Sequence, residues 1–267
     1  MQTRFFIAAI CLCAGLPALA TTSLTESTFT EIIHTANVVA AADKSVAPAK
    51  TNEVFRVPDL VRTGSASRLE MTAPDQTITR VGANTIFTFA PEGRDIVLER
   101  GSVLFHPPAG AGGGAIKNHG TAAAVLGTTE IGAILTDGSF KILDLEGTVK
   151  VTLKNGLYLE LKAGEMVIVS PDGTEFGTLM TVNLGELLPH LLLVTGFSEP
   201  LSSLPLIEAA IAEQNQAIAD GTLDNIVSLE TAGFGLDYRF RVGDGFLNNV
   251  LDEGPDLTRE WMSPVQP

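Results

Sequence analysis

Residues 148–162 read Thr-Val-Lys-Val-Thr-Leu-Lys-Asn-Gly-Leu-Tyr-Leu-Glu-Leu-Lys, and this stretch decides the fold class. Apolar and polar residues alternate on both sides of Asn155-Gly156, which is the period of a β-strand with one buried face. A two-residue turn would put the two apolar sets on opposite faces of the sheet. A three-residue loop over 154–156 puts them on one face, with Gly156 in the left-handed conformation of a bulge. The pairs expected on that face are Leu153 with Leu157, Val151 with Leu159, and Val149 with Leu161.

Strand-like runs of the same kind fill the chain from Val54 to Val169, where glycines separate segments rich in Val, Ile, Leu, Thr and Phe. Turn signals at this spacing predict an all-β domain rather than βαβ units. A second hairpin is expected at Asp137-Gly138, with a two-residue turn and both faces buried. Its expected pairs are Leu135 with Phe140 and Ala133 with Ile142.

A glycine followed by a strand-like run recurs at Gly101, Gly147 and Gly164. Such recurrence fits stacked β elements, which occur in an antiparallel β-sandwich and in a short β-solenoid alike. The pattern leaves these two architectures open.

The pattern becomes helical after Pro171-Asp172-Gly173. Five leucines recur at helical spacing, with Asn183 as the expected N-cap. These leucines are Leu184, Leu187, Leu188, Leu191 and Leu192. A second helix is expected over Leu204–Ala219, capped by Ser203 and ended by Gly221. The leucine stripe is wide enough to demand burial, either on the open face of the β-domain or, as the alternative, in an oligomer.

The first residues predict export. Arg4 precedes an apolar run over residues 5–16, which is followed by Ala18-Leu19-Ala20. This order is that of a signal peptide with cleavage after Ala20. The rival, an uncleaved anchor, needs roughly 20 apolar residues to cross a bilayer, and this run is shorter. Residues 21–52 are rich in Thr and Ala, and we expect there a short helix followed by a linker.

Charge and cysteine content argue against several classes of partner and site. The formal net charge of −14 repels phosphate backbones and anionic lipid surfaces, so nucleic acid is not an expected partner. Cys11 and Cys13 are the two cysteines, and both lie inside the expected signal peptide, without the residue context of a lipoprotein. The mature chain would therefore hold neither a disulfide nor a thiolate metal site. We expect no integral membrane segment after the signal peptide.

Residue patterns that carry chemistry are scarce. His106 and His119 flank residues 107–118, but a zinc site would need a third ligand such as Glu99 or Glu130, so two surface histidines are the simpler expectation. Residues 110–115 approach the dinucleotide fingerprint, yet a strand rather than a helix is expected to follow them, which predicts a flexible hairpin loop. We therefore predict no catalytic residue, no metal ligand and no cofactor.

Three arginines, Arg62, Arg68 and Arg80, lie in the first half of the strand-rich region. A guanidinium there could pair with Glu70 or with the carboxylate of a ligand, because arginine binds carboxylates through a fork of N–H groups. A salt bridge within the protein is the use we expect.

Two groups of motifs resemble the FecR-domain family. The first half of the family's pattern is matched by residues 61–71 and 79–87, and the second half by Leu126-Gly127-Thr128-Thr129, by 145–149 and by 161–165. The resemblance covers about residues 55 to 172 and implies an extracytoplasmic β-domain. In the best-known members, this domain follows a membrane segment and a cytoplasmic region that controls a sigma factor. Because this chain opens on a signal peptide, it more closely resembles the stand-alone secreted members.

The sequence thus predicts a mainly β fold, as an antiparallel β-sandwich or a short β-solenoid-like FecR domain with a C-terminal α-helical extension. The expected divisions are a signal peptide over 1–20, an N-terminal segment and linker over 21–52, the β-domain over 53–174, a helical segment over 181–221 and an extended, partly disordered tail over 222–267. We expect a secreted, non-enzymatic binding, scaffold or sensory module in the periplasm or outside the cell, with an envelope protein or extracellular ligand as partner. The alternative is a signalling component that acts through a membrane partner.

Overall fold

The structure is a computed structural model that describes residues 23–125, 127–224 and 226–227. The expected signal peptide and its cleavage site lie outside these residues, as does the expected tail from 228 onward. Strands account for 45% of the described residues and helices for 13%, so the expected mainly β fold with a C-terminal helix is confirmed. No helix within the described residues is both long and apolar enough to cross a membrane.

The strands are β1 (Glu26–Ile33), β2 (Ala36–Val39), β3 (Val46–Pro48), β4 (Val54–Arg56), β5 (Leu60–Thr63), β6 (Arg68–Thr72), β7 (Ile78–Val81), β8 (Ile86–Phe89), β9 (Asp95–His106), β10 (Gly114–Asn118), β11 (Thr121–Val125), β12 (Thr129–Ile134), β13 (Phe140–Glu146), β14 (Thr148–Thr152), β15 (Tyr158–Lys162), β16 (Glu165–Val169), β17 (Met180–Val182) and β18 (Ile226–Val227). The helices are α1 (Leu184–Leu187), α2 (Leu192–Thr195) and α3 (Leu204–Ala219), with a 3-10 turn at Leu188–His190 between α1 and α2.

Pairing arranges the strands in two layers that share the long strand β9. The helix-side layer has the order β4-β1-β6-β7-β9-β12-β13-β16-β17-β18. The outer layer has the order β3-β2-β5-β8-β9-β10-β11-β14-β15. Pairing is antiparallel throughout except for β9–β10 and β17–β18, which are parallel. The two layers enclose one apolar core, to which both contribute.

Gly101 lies at the point where β9 passes from the outer layer to the helix-side layer. Its φ of +81° is left-handed, and a Cβ there would come within 2.5 Å of the Cα of Thr85. Only glycine accepts both the conformation and the close approach. The other two glycines of the repeated pattern, Gly147 and Gly164, also have positive φ. The repeat therefore marks glycine turns at which strands begin or change layer.

The hairpin of residues 148–162 forms as predicted. Val149 pairs with Leu161 and Val151 with Leu159, and the Leu153 N–H donates to the Leu157 carbonyl across the three-residue loop. Gly156 has a φ of +88°, as the bulge requires.

The register predicted for the second hairpin is wrong by one residue. Ile134 pairs with Phe140, while the Leu135 N–H donates to the Ser139 carbonyl. The loop therefore has three residues, and Gly138 with a φ of +87° takes the same left-handed position that Gly156 takes in the first hairpin. Burial of both faces is confirmed, because every residue of β13 is buried.

The expectation of a helix and linker over 21–52 is also wrong. This segment forms β1, β2 and β3, which pair with β4, β5 and β6. The Thr-rich, β-branched composition suits a strand, but its apolar residues are too few to show a clear alternation. Some partners that stabilise these strands lie 40 residues or more further along the chain, as the Thr30–Glu70 contact illustrates.

The C-terminal helices pack on the helix-side layer, on the face that points away from the core between the two layers. Leu184, Leu187 and Leu191 are buried there against residues of β9, β12, β13 and β16. The expected leucine helix is broken at Pro189 into α1, the 3-10 turn and α2, because proline has no N–H to donate within a helix. Asn183 caps α1 as predicted, since its side chain accepts from the Glu186 N–H at 3.1 Å. Leu188 and Leu192 are only partly buried, so most of the stripe is buried within the chain, which was the first of the two expectations.

Candidate functional site

A buried arginine joins the β-domain to the C-terminal segment. Arg80 on β7 is fully buried, and its Nε donates to Glu70 Oε2 on β6 at 2.8 Å. Its Nη1 donates to the carbonyl of Val194 at 2.8 Å, and its Nη2 donates to the carbonyl of Glu199 at 2.7 Å. The guanidinium carbon also lies 4.4 Å from the centre of the Phe197 ring, a distance at which a cation–π contact is favourable.

Neighbouring residues of the β-domain bind the same segment, residues 193–199. Arg68 donates from Nε to the Gly196 carbonyl at 3.3 Å, and Glu31 accepts from the amide and hydroxyl of Ser198 at 3.0 Å each. Thr30 donates to the second oxygen of Glu70 at 2.7 Å, which leaves that carboxylate bonded at both oxygens. We call Glu31, Arg68, Glu70 and Arg80 the clamp.

The clamp explains two of the three arginines that the sequence singled out. The Arg80–Glu70 salt bridge is the internal use that was expected, and it is almost completely shielded from solvent, since the Arg80 side chain is 0% exposed and that of Glu70 is 11% exposed. Capture of the C-terminal carbonyls was not predicted. Every residue has a backbone carbonyl, so the sequence of 193–199 contains no signal from which these hydrogen bonds could have been predicted.

A second polar cluster is buried where β12 and β13 meet the start of α3. The Thr129 hydroxyl lies 2.8 Å from Glu146 Oε1, 3.0 Å from His106 Nδ1 and 2.7 Å from the Ser203 hydroxyl. All four residues are at most 6% exposed. Ser203 occupies the N-cap position of α3, but its side chain makes no capping bond and contacts Thr129 instead. The predicted capping role of Ser203 is therefore wrong.

Glu130 and Asp144 lie opposite each other on β12 and β13, adjacent to this cluster. Both are fully buried, and within the described part of the chain no hydrogen bond reaches either oxygen of Glu130 or Oδ2 of Asp144. The Ile116 amide is near Glu130 without the geometry of a hydrogen bond. Two carboxyls this close cannot both carry a charge in the interior, because each charge would lack both solvent and a counter-ion.

Burial disfavours the charged forms of Glu130, Asp144, Glu146 and His106. Burial raises the pKa of Asp144 to about 8, with the charges of Glu146 and Glu165 acting in the same direction. Burial, reinforced by Asp144, raises the pKa of Glu130 well above its ordinary value, and burial also raises the pKa of Glu146. Burial lowers the pKa of His106 despite a hydrogen bond to the Thr128 carbonyl. A pKa of about 8 keeps Asp144 mostly protonated at neutral pH, and burial favours the protonated form of Glu130 as well.

The two histidines considered as zinc ligands lie in different environments. His106 belongs to the buried cluster, whereas His119 is exposed, with Nδ1 3.2 Å from the Pro171 carbonyl. The expectation of two surface histidines is wrong for His106, because its strand ends beneath α3. Among the described residues, no three His, Cys, Asp or Glu side chains are placed to hold one metal ion.

The glycine-rich stretch over 110–115 connects the two layers. It is followed by strand β10, as predicted, but β10 pairs with β9 in parallel, so the stretch is a crossover and not the expected hairpin loop. The buried Arg94 donates to the Gly113 carbonyl at 2.6 Å and pairs with Asp75. This anchoring gives the loop a structural role.

A cleft of about 310 Å³ opens between the layers at the end formed by β3 and β4. Phe29 and Phe55 contribute apolar side chains to it, and Val54, which is 37% exposed, lies at its rim. Glu53, Arg56 and Asp59 add charges of both signs. The cleft has room for a side chain of a bound partner.

Comparison with known proteins identifies the central part of the chain. Residues 59–150 match the family model FecR, described as FecR protein. The chain therefore contains a FecR domain, as the resemblance predicted. The matched residues run from just before β5 into β14 and include Arg68, Glu70 and Arg80 of the clamp.

Two crystal structures from Parabacteroides distasonis ATCC 8503, each described as a candidate anti-sigma factor, align with part of this chain. The first, at 1.65 Å resolution, has a TM-score of 0.40 and 19% identity over 46% of this chain, which spans 59% of that structure's length. The second, at 2.50 Å resolution, has a TM-score of 0.40 and 14% identity over 63% of this chain and 96% of its own. Similarity at this level says nothing about function. No curated protein matches the chain.

Proposed function

We propose that this FecR-domain protein is a non-enzymatic binding or sensory module, exported after cleavage behind Ala20, whose partner is an envelope protein or an extracellular ligand. The observation that carries the proposal is the use of the FecR domain's own polar residues. Arg80 and Glu70 bind the C-terminal segment, and Arg94 binds the glycine-rich loop, so these groups stabilise the fold. A domain built in this way acts through its surface.

A second candidate function is extracytoplasmic signalling through a membrane partner. The match of residues 59–150 to FecR favours it, because the resemblance implies a module that passes on a signal from outside the cell. The two candidates differ in what loss of the protein does. Deletion of the gene should alter transcription of a defined regulon if the protein signals, and should leave the transcriptome unchanged if it is a scaffold.

Site-specific photo-cross-linking in the native envelope tests the binding function. A photoreactive residue at Val54, at Lys150 or at Glu208 samples the cleft rim, the outer layer and α3 in turn. We expect one position to yield a discrete adduct, and the partner identified by mass spectrometry should then bind purified mature protein in solution. Turnover of a substrate by that protein, abolished by one point substitution, would overturn the proposal.

Export is tested separately by the intact mass of the protein recovered from the native envelope. A species that begins at residue 21 supports cleavage after Ala20. A species that still begins at Met1 would contradict it.

A further inference from the structure

The large apolar side chains that remain exposed are concentrated at the two ends of the layers. Val46 on β3 and Val54 on β4 are 56% and 37% exposed at the end where both layers begin. Leu157 and Tyr158 are 62% and 61% exposed at the opposite end, where β15 is the last strand of the outer layer. Four of the seven exposed large apolar residues of the described chain therefore lie at these ends, and clustered exposed apolar residues mark a contact surface.

Strand β3 has a free edge, because within the described residues it pairs only with β2. The Ser45 carbonyl and the Ala49 N–H form hydrogen bonds toward β2. Since successive residues of an antiparallel strand direct their backbone groups to opposite sides, Val46 and Pro48 direct theirs away from β2. Val46 therefore offers one N–H and one C=O at this edge, whereas Pro48, which lacks an N–H, offers a C=O alone.

Strand β15 has a free edge of the same kind, since among the described strands it pairs only with β14. The Leu157 carbonyl accepts a hydrogen bond across the hairpin loop, from the β14 side. Tyr158 and Glu160 alternate with the residues that face β14, so their backbone groups point to the free edge. The next edge group, the Lys162 N–H, already donates to the Glu165 side chain at 2.8 Å.

The two edges match in direction and in register. In the strand order of the outer layer, β3 and β15 run in opposite directions, so β15 of one copy placed beside β3 of a second copy is antiparallel to it. With Val46 opposite Glu160, these two residues exchange two hydrogen bonds. Tyr158 then lies opposite Pro48 and donates its N–H to the Pro48 carbonyl. The groups that stay unpaired inside each copy are thus the ones that the register requires.

Side chains also fall on matching faces in this register. Val38, which pairs with Ala47, packs on the core between the layers, so Ala47 and Ala49 face the same space. Leu159 packs on that core from β15, and Leu157 shares its face. The register places Leu159 opposite Ala47 and Leu157 opposite Ala49. Both leucines then project toward the cleft of about 310 Å³, which Ala47 lines.

Charge does not oppose contact between these two surfaces, although the whole chain carries a formal net charge of −14. Residues 148–162 contain three lysines and one glutamate, and residues 43–59 contain three acidic and three basic residues. The acidic excess that would keep two copies apart lies elsewhere in the chain. The two ends can therefore approach each other without strong repulsion.

We propose that the two ends bind each other, so that β15 of one copy adds to β3 of a second copy and the protein assembles head to tail. The contact is heterologous, because its two surfaces differ, and each added copy leaves one free end. Strand addition buries a small area, so the association is weak. This inference goes beyond the proposed function, because it names a second copy of the chain as a partner.

Sedimentation velocity of the full mature protein, from about 10 µM to about 1 mM, tests the assembly in a range suited to a small interface. We expect the weight-average mass to rise with concentration and to pass that of a dimer. A monomeric mass over the whole range would overturn the proposal. A plateau at the dimer would overturn it too, because it indicates a contact between identical surfaces.

Two variants block one end each. Val46→Pro removes the N–H that donates to Glu160, at an edge position where proline is tolerated. Leu157→Asp puts a carboxylate into the apolar contact and replaces a side chain that is exposed in the single copy. Each variant alone should be monomeric, whereas an equimolar mixture should form a one-to-one heterodimer and nothing larger, because each variant keeps the end that the other lacks. Dimers of either variant alone would contradict head-to-tail assembly.

Control variants separate the contact from other effects. Leu206→Asp changes an exposed apolar residue of α3 and should associate as wild type; a monomeric Leu206→Asp would assign the association to α3 and overturn the proposal. Val46→Glu puts a carboxylate opposite Glu160 and should reproduce Val46→Pro, so a folding defect caused by proline is recognised by urea unfolding. In a mixture that dimerises, exchange of the Tyr158 amide in Val46→Glu should slow roughly tenfold, and an unchanged rate would refute the pairing of β15 with β3.

Discussion

Replacing Asp144 by asparagine should make the stability of the protein markedly less dependent on pH. Burial raises the pKa of Asp144 from 3.8 to about 8. The folded protein therefore holds a proton on Asp144 over a range in which the unfolded chain has already lost it. For a carboxyl with a raised folded pKa, stability decreases as pH rises from the unfolded pKa to the folded pKa, and the decrease ends above the latter.

The size of the effect follows from the width of that range. Each pH unit between the two pKa values costs about 1.4 kcal/mol, so Asp144 alone should account for a loss of roughly 4 kcal/mol between pH 5 and pH 9. Asparagine does not ionise, which removes this loss. The substitution also removes a charge next to Glu130. The pH dependence of the free energy of unfolding should therefore decrease by at least the contribution of Asp144 itself.

Urea unfolding followed by circular dichroism at pH 5, 7 and 9 measures the difference. We expect the free energy of unfolding of Asp144→Asn to fall between pH 5 and pH 9 by about 4 kcal/mol less than that of wild type. Glu160→Gln, the exposed control, should follow the wild-type profile. Parallel profiles for wild type and Asp144→Asn would refute the reasoning, because Asp144 would then titrate alike in the folded and unfolded states.

Three further predictions concern the clamp, β9 and the C-terminal cover. Arg80→Leu should lower the free energy of unfolding by roughly 3–5 kcal/mol and make residues 193–199 sensitive to proteolysis, because it leaves Glu70 buried without its partner. Arg56→Leu should cost at most about 1 kcal/mol, since its ion pair with Glu26 is exposed, and equal losses in the two variants would contradict the clamp. Gly101→Ala should cost roughly 3 kcal/mol by urea unfolding, whereas Gly93→Ala, with a similar φ of +85° and open space around it, should cost about 1 kcal/mol; similar losses would mean that contact with Thr85 is unimportant. Truncation after Gly173 should make the β-domain insoluble or non-cooperative by uncovering the apolar face beneath α1, α2 and α3, and a soluble, cooperatively folded fragment would count against this cover.

The sequence alone determined the elements whose residue pattern is contained in one short, continuous stretch. The hairpin over 148–162 follows from alternation and from one loop length that keeps both apolar sets on the same face. The bounds of α3, Leu204–Ala219, follow from helical periodicity with Pro205 in the first turn and Gly221 after the end. The motifs that resemble FecR are likewise local, and the family match over 59–150 confirms them.

Tertiary structure decided whatever depends on partners distant in sequence. The strands β1, β2 and β3 form because β4, β5 and β6 pair with β1 and β2, and the loop at Asp137-Gly138 takes three residues because Ile134 pairs with Phe140 on the core face. The use of Arg80 depends on carbonyls more than 110 residues away. Glu130, Asp144 and Glu146 have the residue types of a solvent-exposed strand, and only the packing of the assembled layers and helices shows how completely they are buried. The physical reason is that burial, and with it the pKa of a carboxyl, belongs to the assembled layers and to no single segment of the chain.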